Sequence, residues 1–333
     1  MLIIESYAVA VVLLVITMLC WGSWANTQKL ATQSWPFPLF YWDYALGIVL
    51  LSLLFGVTLG SSGDEGRPFW SDLSQASTEA LGSAFIGGVV FNIANLLLVA
   101  AIDIAGMAVA FPVGIGLALV LGVVVNYVAV PVGDPVLLFA GVALVTVAIV
   151  LDALAYRRKS AGTKVSSQGL WLSIVAGVLM GFFFRFVAAA VSTDFANPVA
   201  GLMTPYSAVF VFSVGIFVSN FLWNTIFMYR PLKGERVTYG DYFAKGTPRL
   251  HLIGILGGAI WCVGMSFSLI ASEQAGFAIS YGLGQGATMV AAAWGVFIWK
   301  EFADAPKGTN KLLYAMFAFF IVGLALVIGA RVG

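Results

Sequence analysis

Charged and amide side chains are scarce in this chain, so those that fall inside apolar runs are the first candidates for chemistry. Asp43 stands in Phe40-Tyr41-Trp42-Asp43-Tyr44, Arg185 follows Phe182-Phe183-Phe184, and Glu273 ends a run that closes on Ala271-Ser272. An ionisable group in hydrocarbon is costly, and such groups ordinarily line a cavity, pair with one another or relay protons. Asp43 lies about 9 Å into its run at the helical rise per residue. There it could carry a proton or accept a hydrogen bond from a solute; an interfacial carboxylate among aromatic residues is the plainer alternative. Arg185 sits deeper, towards the opposite side. It could coordinate a solute, close an outer gate with Glu5 or Glu273, or form a purely structural ion pair.

Amides and aromatic rings add to this set. Asn92 and Asn95 are three residues apart and share one helical face, and Asn26 lies just beyond Trp21 and Trp24, which have the same spacing. Trp261, Tyr281 and Gln285 fall in two later apolar runs. An amide facing lipid without a partner costs several kcal/mol, so these positions should look into protein or water. Aromatic platforms beside amide donors suit a flat or ring-shaped neutral solute, although a lone tryptophan is more often an interface anchor.

Much chemistry is excluded. His251 is the only histidine, and Cys20 and Cys262 lie in separate apolar runs, which suggests neither a metal site nor a disulfide framework. No phosphate-binding glycine loop of the P-loop type is present, and no cofactor or nucleic-acid partner is indicated. No run carries a nucleophile beside a base, so a membrane-embedded enzyme is disfavoured. One embedded arginine argues against phosphorylated cargo, which needs clustered cations. A cationic drug could be held at Asp43 by ion pairing and cation–π attraction, which makes export of such compounds the alternative to import.

The elements that must position these groups follow from composition. Of 333 residues, 61% are hydrophobic and 9% are charged, against about 25% charged in soluble domains. Lipid is therefore the solvent for most of the chain. Ten apolar segments can be marked, near 6–27, 37–60, 82–103, 107–128, 134–156, 168–191, 203–229, 250–271, 276–299 and 311–330. The expectation is an all-α integral membrane protein with ten transmembrane helices. If each segment crosses, Lys29, Arg157, Arg158, Lys159, Lys164, Arg230, Lys233, Arg236, Lys245, Arg249, Lys300, Lys307 and Lys311 share one face, here face B. Face A keeps only Arg67 and Arg331. Positive charge collects on the cytoplasmic side, so both termini are expected outside the cell membrane.

Sliding the chain by 170 residues aligns Gly87–Gly122 with Gly257–Ala292 without a gap. Gly87-Gly88 meets Gly257-Gly258, Gly106 meets Gly276, Gly114 and Gly116 meet Gly284 and Gly286, and Asp103 meets Glu273. The offset equals five segments, an odd number, so the halves 1–166 and 167–333 would enter the membrane in opposite directions. Inverted repeats mark secondary transporters that work by alternating access, with the site at the repeat interface. Pro112–Gly116 and Gly282–Gly286 are expected to interrupt the fourth and ninth helices.

Several fragments, in order and spacing, resemble the ureide permease family of the drug/metabolite transporter superfamily. They are Glu5-Ser6, Asp43-Tyr44, Gly87-Gly88-Val89-Val90, Asn95-Leu96, Asn126-Tyr127, Tyr229-Arg230-Pro231 and Glu301. The chain also looks like the related glucose/ribose porters and rhamnose–proton symporters. The resemblance implies proton-linked uptake of a small neutral solute, either a ureide or nucleobase, as in plant members, or a sugar, as in bacterial relatives. The short Arg157–Ser167 stretch lacks the long hydrophilic central loop of plant members. Expected partners are thus a small-molecule substrate, membrane lipid and protons; a homodimer is left open.

Overall fold

The computed structural model describes residues 1–31, 35–159 and 166–332; Lys164, one of the expected face B cations, lies outside them. In chain order the helices are α1 (Tyr7–Ser23), α2 (Ala25–Ala31), α3 (Phe37–Val57), α4 (Phe69–Gln75), α5 (Thr78–Ala105), α6 (Met107–Ala129), α7 (Pro135–Lys159) and α8 (Ser167–Ala189). They continue with α9 (Pro205–Asn220), α10 (Trp223–Tyr229), α11 (Tyr239–Lys245), α12 (Pro248–Ala275), α13 (Phe277–Gly284), α14 (Ala287–Ala293), a π turn (Trp294–Ile298) and α15 (Thr309–Gly329). Among the described residues, nine helical stretches are long and apolar enough to cross a membrane. The chain is an all-α, multi-pass membrane protein.

The ninth of the ten expected segments, 276–299, is not among these nine stretches. It is helical, but in three short pieces: α13, α14 and the π turn. The interruption expected in both the fourth and the ninth segments is present only in the ninth. α6 runs unbroken through Pro112, whereas the ninth breaks at Gln285-Gly286.

The 170-residue offset recurs in the backbone. α4 and α11 are both seven residues long and begin at Phe69 and Tyr239. Ser77 and Thr247 then cap α5 and α12, each side chain accepting the backbone N–H three residues on, a bond worth ~1 kcal/mol. Both helices run 28 residues and stop at Gly106 and Gly276, with φ of 80° and 82°. A side chain is strained at such an angle, so glycine is required to turn the chain there.

Small residues let the helices approach to backbone distance, the usual means of packing where lipid gives no hydrophobic drive. A Cβ on Gly88 of α5 would lie 2.1 Å from the Phe212 carbonyl of α9, and one on Gly215 of α9 would lie 2.2 Å from the Phe85 carbonyl of α5. Gly258 of α12 and Gly47 of α3 make the matching contacts, 1.9 Å from Tyr44 O and 2.1 Å from Ile255 O. α8 also packs along α5 and α6, α1 along α12, and α7 along α15.

The two ends of the bundle gather the segments assigned to faces A and B. On face A, Leu2 N donates to Leu59 O, Gln274 to Ile4 O and Asp134 N to Ala330 O. On face B, Lys29 pairs with Glu301, and Asn224 donates to Pro38 O.

Candidate functional site

α1 and α2 carry a track of side chains from the middle of the bundle towards face B. Trp21 stacks on Trp261 of α12, with ring centroids 5.8 Å apart and planes within 15°, and donates its indole N–H to the Trp261 carbonyl at 3.2 Å. The other neighbours of Trp261 are Phe91 of α5 at 4.4 Å and Phe212 of α9 at 6.0 Å. These rings fill one another, so Trp21 and Trp261 form a packed column at the centre.

Next along the track, Trp24 lies against Tyr44 of α3 at 4.7 Å, Tyr44 stacks on Tyr41 at 5.2 Å, and Asn95 of α5 donates its amide to the Tyr41 hydroxyl at 3.2 Å. Tyr41 and Tyr44 are fully buried. The Tyr44 hydroxyl oxygen has no hydrogen-bond partner among the described residues. A buried hydroxyl left unsatisfied costs about 1–3 kcal/mol, and the group calls for a polar partner that the protein does not supply. Sequence reasoning singled out Trp24 and Asn95 but missed Tyr41 and Tyr44. Their signal was present in Tyr41-Trp42-Asp43-Tyr44, where attention went to the acid.

Towards face B, α1 and α2 also border a cavity of about 90 Å³ that they share with α7, α14 and the π turn, lined among others by Asn26, Lys29, Phe111, Asp152, Tyr156, Trp299 and Glu301 but by none of the track's rings. The Asn26 amide oxygen accepts from Trp299 Nε1 at 2.7 Å. Glu301 accepts from Lys29 at 3.0 Å and from the Tyr156 hydroxyl at 2.8 Å. Burial pushes the Glu301 carboxyl up, but the hydrogen bonds from Lys29 and Tyr156 outweigh this and hold it below the ordinary glutamate value.

The remaining candidates are placed as follows. Asn92 donates to Ser219 at 2.8 Å and to the Ile216 carbonyl at 3.2 Å, tying α5 to α9. The Tyr281 hydroxyl donates to the carbonyls of Ala118 and Met180, bridging three helices. Gln285 is buried at the break in the ninth segment. Asp43 accepts from Trp35 Nε1 at 3.1 Å and from the Tyr242 hydroxyl, and lies 2.9 Å from His251 Nδ1. This cluster joins α3, α11 and α12. Arg185 is half-buried and forms no ion pair with Glu5 or Glu273. Glu273 instead accepts from the Phe195 backbone N–H at 2.6 Å. The three ionisable candidates therefore occupy three separate places. Among the described residues, no group of three or more His, Cys, Asp or Glu could hold a metal.

Comparison with known proteins places this geometry in a family. The ureide permease family model matches residues 40–168 and 158–330. Ureide permease 1 of Arabidopsis thaliana is 22% identical, with 99% of each chain covered, and Ureide permease 4 of the same plant is 23% identical with the same coverage. A solved crystal structure superposes with a TM-score of 0.62 at 15% identity, covering 98% of this chain and 99% of the other, and has the same fold. With nine helices among the described residues long and apolar enough to cross a membrane and a family match over most of its length, the chain belongs to the ureide permease family of membrane transporters.

Proposed function

We propose that this permease imports a ureide or a closely similar small, neutral, polar solute across the cell membrane, coupled to protons. The observation that carries the reading is the Tyr44 hydroxyl, buried without a partner among the described residues, on a ring that contacts Trp24 and stacks on Tyr41, whose own hydroxyl accepts from Asn95. A compact solute rich in N–H and C=O groups would satisfy that hydroxyl and the Asn95 amide while its faces lie on the aromatic rings. The relatives' names favour ureides over sugars. Export of cations is supported less well, because both carboxylate oxygens of Asp43 already accept from Trp35, Tyr242 and His251.

In this proposal the ninth segment also crosses the bilayer, making ten spans in two inverted halves, 1–166 and 167–333. The backbone matches at a 170-residue offset support it, as do the mirrored glycine contacts of α5 with α9 and of α12 with α3. Alternating access then follows from exchange of the two halves' roles. The basic residues on face B support a cytoplasmic face B and external termini. The test is uptake into proteoliposomes. Allantoin or uracil should accumulate under an inward proton gradient, collapse with a protonophore, and do so poorly with Tyr44→Phe. Glucose accumulation without allantoin or uracil uptake would sink the ureide reading.

A further inference from the structure

The face B cavity holds a carboxylate that the solute site does not use. Asp152 lies in α7, inside the apolar segment, and is 7% exposed. Its Oδ1 is buried with no hydrogen-bond partner among the described residues, yet the residue lines the cavity. Such an oxygen calls for a positive partner. The titratable neighbours are Glu301 from the loop after the π turn, Tyr156 one turn further along α7, and Lys29 from α2. They are engaged with one another: Lys29 and Tyr156 both donate to Glu301, at 3.0 and 2.8 Å. α6, α14 and the π turn bring Phe111, Thr288 and Trp294 to the wall, none of them titratable. Lys311 and Tyr314 of α15, which packs on α7, are exposed and do not line the cavity.

We propose that Asp152 carries the transported proton, which forms an O–H bond on its free oxygen and leaves through the face B cavity to the cytoplasm. The proposal rests on the proton-coupled import argued above. A proton fits better than a metal cation, which needs several oxygen ligands at once, whereas Glu301 is already held by Lys29 and Tyr156. A carboxylic acid at Asp152 would need only one acceptor and would leave the Lys29–Glu301–Tyr156 cluster intact. Proximity matters here, because an ionised Asp152 shares the cavity with the Glu301 carboxylate. Protonation removes one of two like charges and so couples Asp152 to the latch between α2 and the loop after the ninth segment.

The test uses purified full-length protein in proteoliposomes. Asp152→Asn is expected to keep allantoin or uracil counterflow between equal pools and to lose accumulation driven by a proton gradient at least tenfold. Asp152→Glu is expected to keep accumulation with a displaced pH midpoint. A pH-dependent infrared band from a protonated carboxyl should be present in the wild type and missing in Asp152→Asn. Undiminished gradient-driven accumulation in Asp152→Asn would overturn the assignment. If Asp152→Asn lacks counterflow as well, the Asp152→Glu midpoint decides, and an unshifted midpoint overturns the assignment. A wild type that accumulates no solute under a proton gradient would instead defeat the coupled-import reading. The infrared band then judges Asp152 alone, and an unchanged band in Asp152→Asn overturns it.

Discussion

The two short helices α4 and α11 occupy matching places in the chain, yet they are fastened to the bundle in different ways. On face A, Asp72 of α4 is completely buried, pairs with Arg67 at 2.8 Å and accepts from both the backbone N–H and the hydroxyl of Thr204, just ahead of α9. Arg67 also donates to the carbonyls of Leu202 and Pro198. On face B, Tyr242 of α11 donates to Asp43 near the start of α3, where Trp35 and His251 converge on the same carboxylate. A guanidinium is always charged, so the face A clasp keeps its ion pair wherever Asp72 is ionised. On face B no guanidinium takes part, and an indole, a phenol and an imidazole ring meet the carboxylate instead. Similar scaffolds at the two ends thus carry a fastening built on a permanent charge on face A and one built on ring donors on face B.

The largest effect is expected from breaking the permanent clasp. Asp72→Ala leaves Arg67 facing buried carbonyls without its counter-ion and strips Thr204 of two hydrogen bonds, a loss of ~3–5 kcal/mol. Thermal unfolding in detergent should show a large drop in Tm. A smaller loss is expected at the ring-donor clasp. Asp43→Asn keeps the shape but weakens the hydrogen bonds from Trp35 and Tyr242, costing ~1–3 kcal/mol. The same melting measurement should show the smaller drop in Tm. Equal losses at Asp72 and Asp43 would erase the distinction between the ends.

The smallest effect concerns the Lys29–Glu301 latch, also on face B. Lys29 is partly exposed, so Lys29→Met should cost no more than ~1 kcal/mol. Because the Glu301 carboxyl is held below its ordinary value, the latch contributes stability above the unfolded-state value of about 4.3 and loses it as pH falls through the lower folded value. Asp241, pulled down to about 2 chiefly by its hydrogen bonds with Lys245 and Thr238, adds a second acid on the same face with the same sign. Acid should therefore loosen face B. Lys29→Met should remove its share of that acid sensitivity, as read by melting between about pH 5 and about pH 3.

Long apolar segments were legible because lipid imposes a composition that no short-range rule can hide. α4 and α11 were not, although Thr238 with Asp241 forms a capping box at the start of α11, and Ser77 and Thr247 mark where α5 and α12 begin just beyond them. Seven residues are too few to show a period. The doubled glycines at 87–88 and 257–258 were found in register, and their packing role is what the backbone contacts require. Pro112 and the later glycines looked alike as helix breakers, but α6 continues through its proline. The ninth segment breaks one residue beyond Gly284, against which the Trp21 ring is packed. Tertiary crowding, absent from a local motif, separates the two cases. Asp152 was passed over because it lies five residues ahead of Arg157-Arg158-Lys159 and so reads as part of a charged flank. Asn92 is expected to face solute, and its amide N–H joins α5 to α9 while its Oδ1 has no partner among the described residues; an amide's spacing tells which face it occupies but not what that face meets.

The mirrored glycine contacts also set the mechanics of any transport cycle. With a carbonyl of one helix seated against the bare Cα of the next at two levels, α5 cannot slide along α9, nor α12 along α3, without lifting out of register. Each couple behaves as one stiff lever, and each lever joins an early segment to a late one. The aromatic column of Trp21, Trp261, Phe91 and Phe212 joins one lever to the other. The chain's early and late segments are therefore not packed as separate blocks; each lever takes one helix from each.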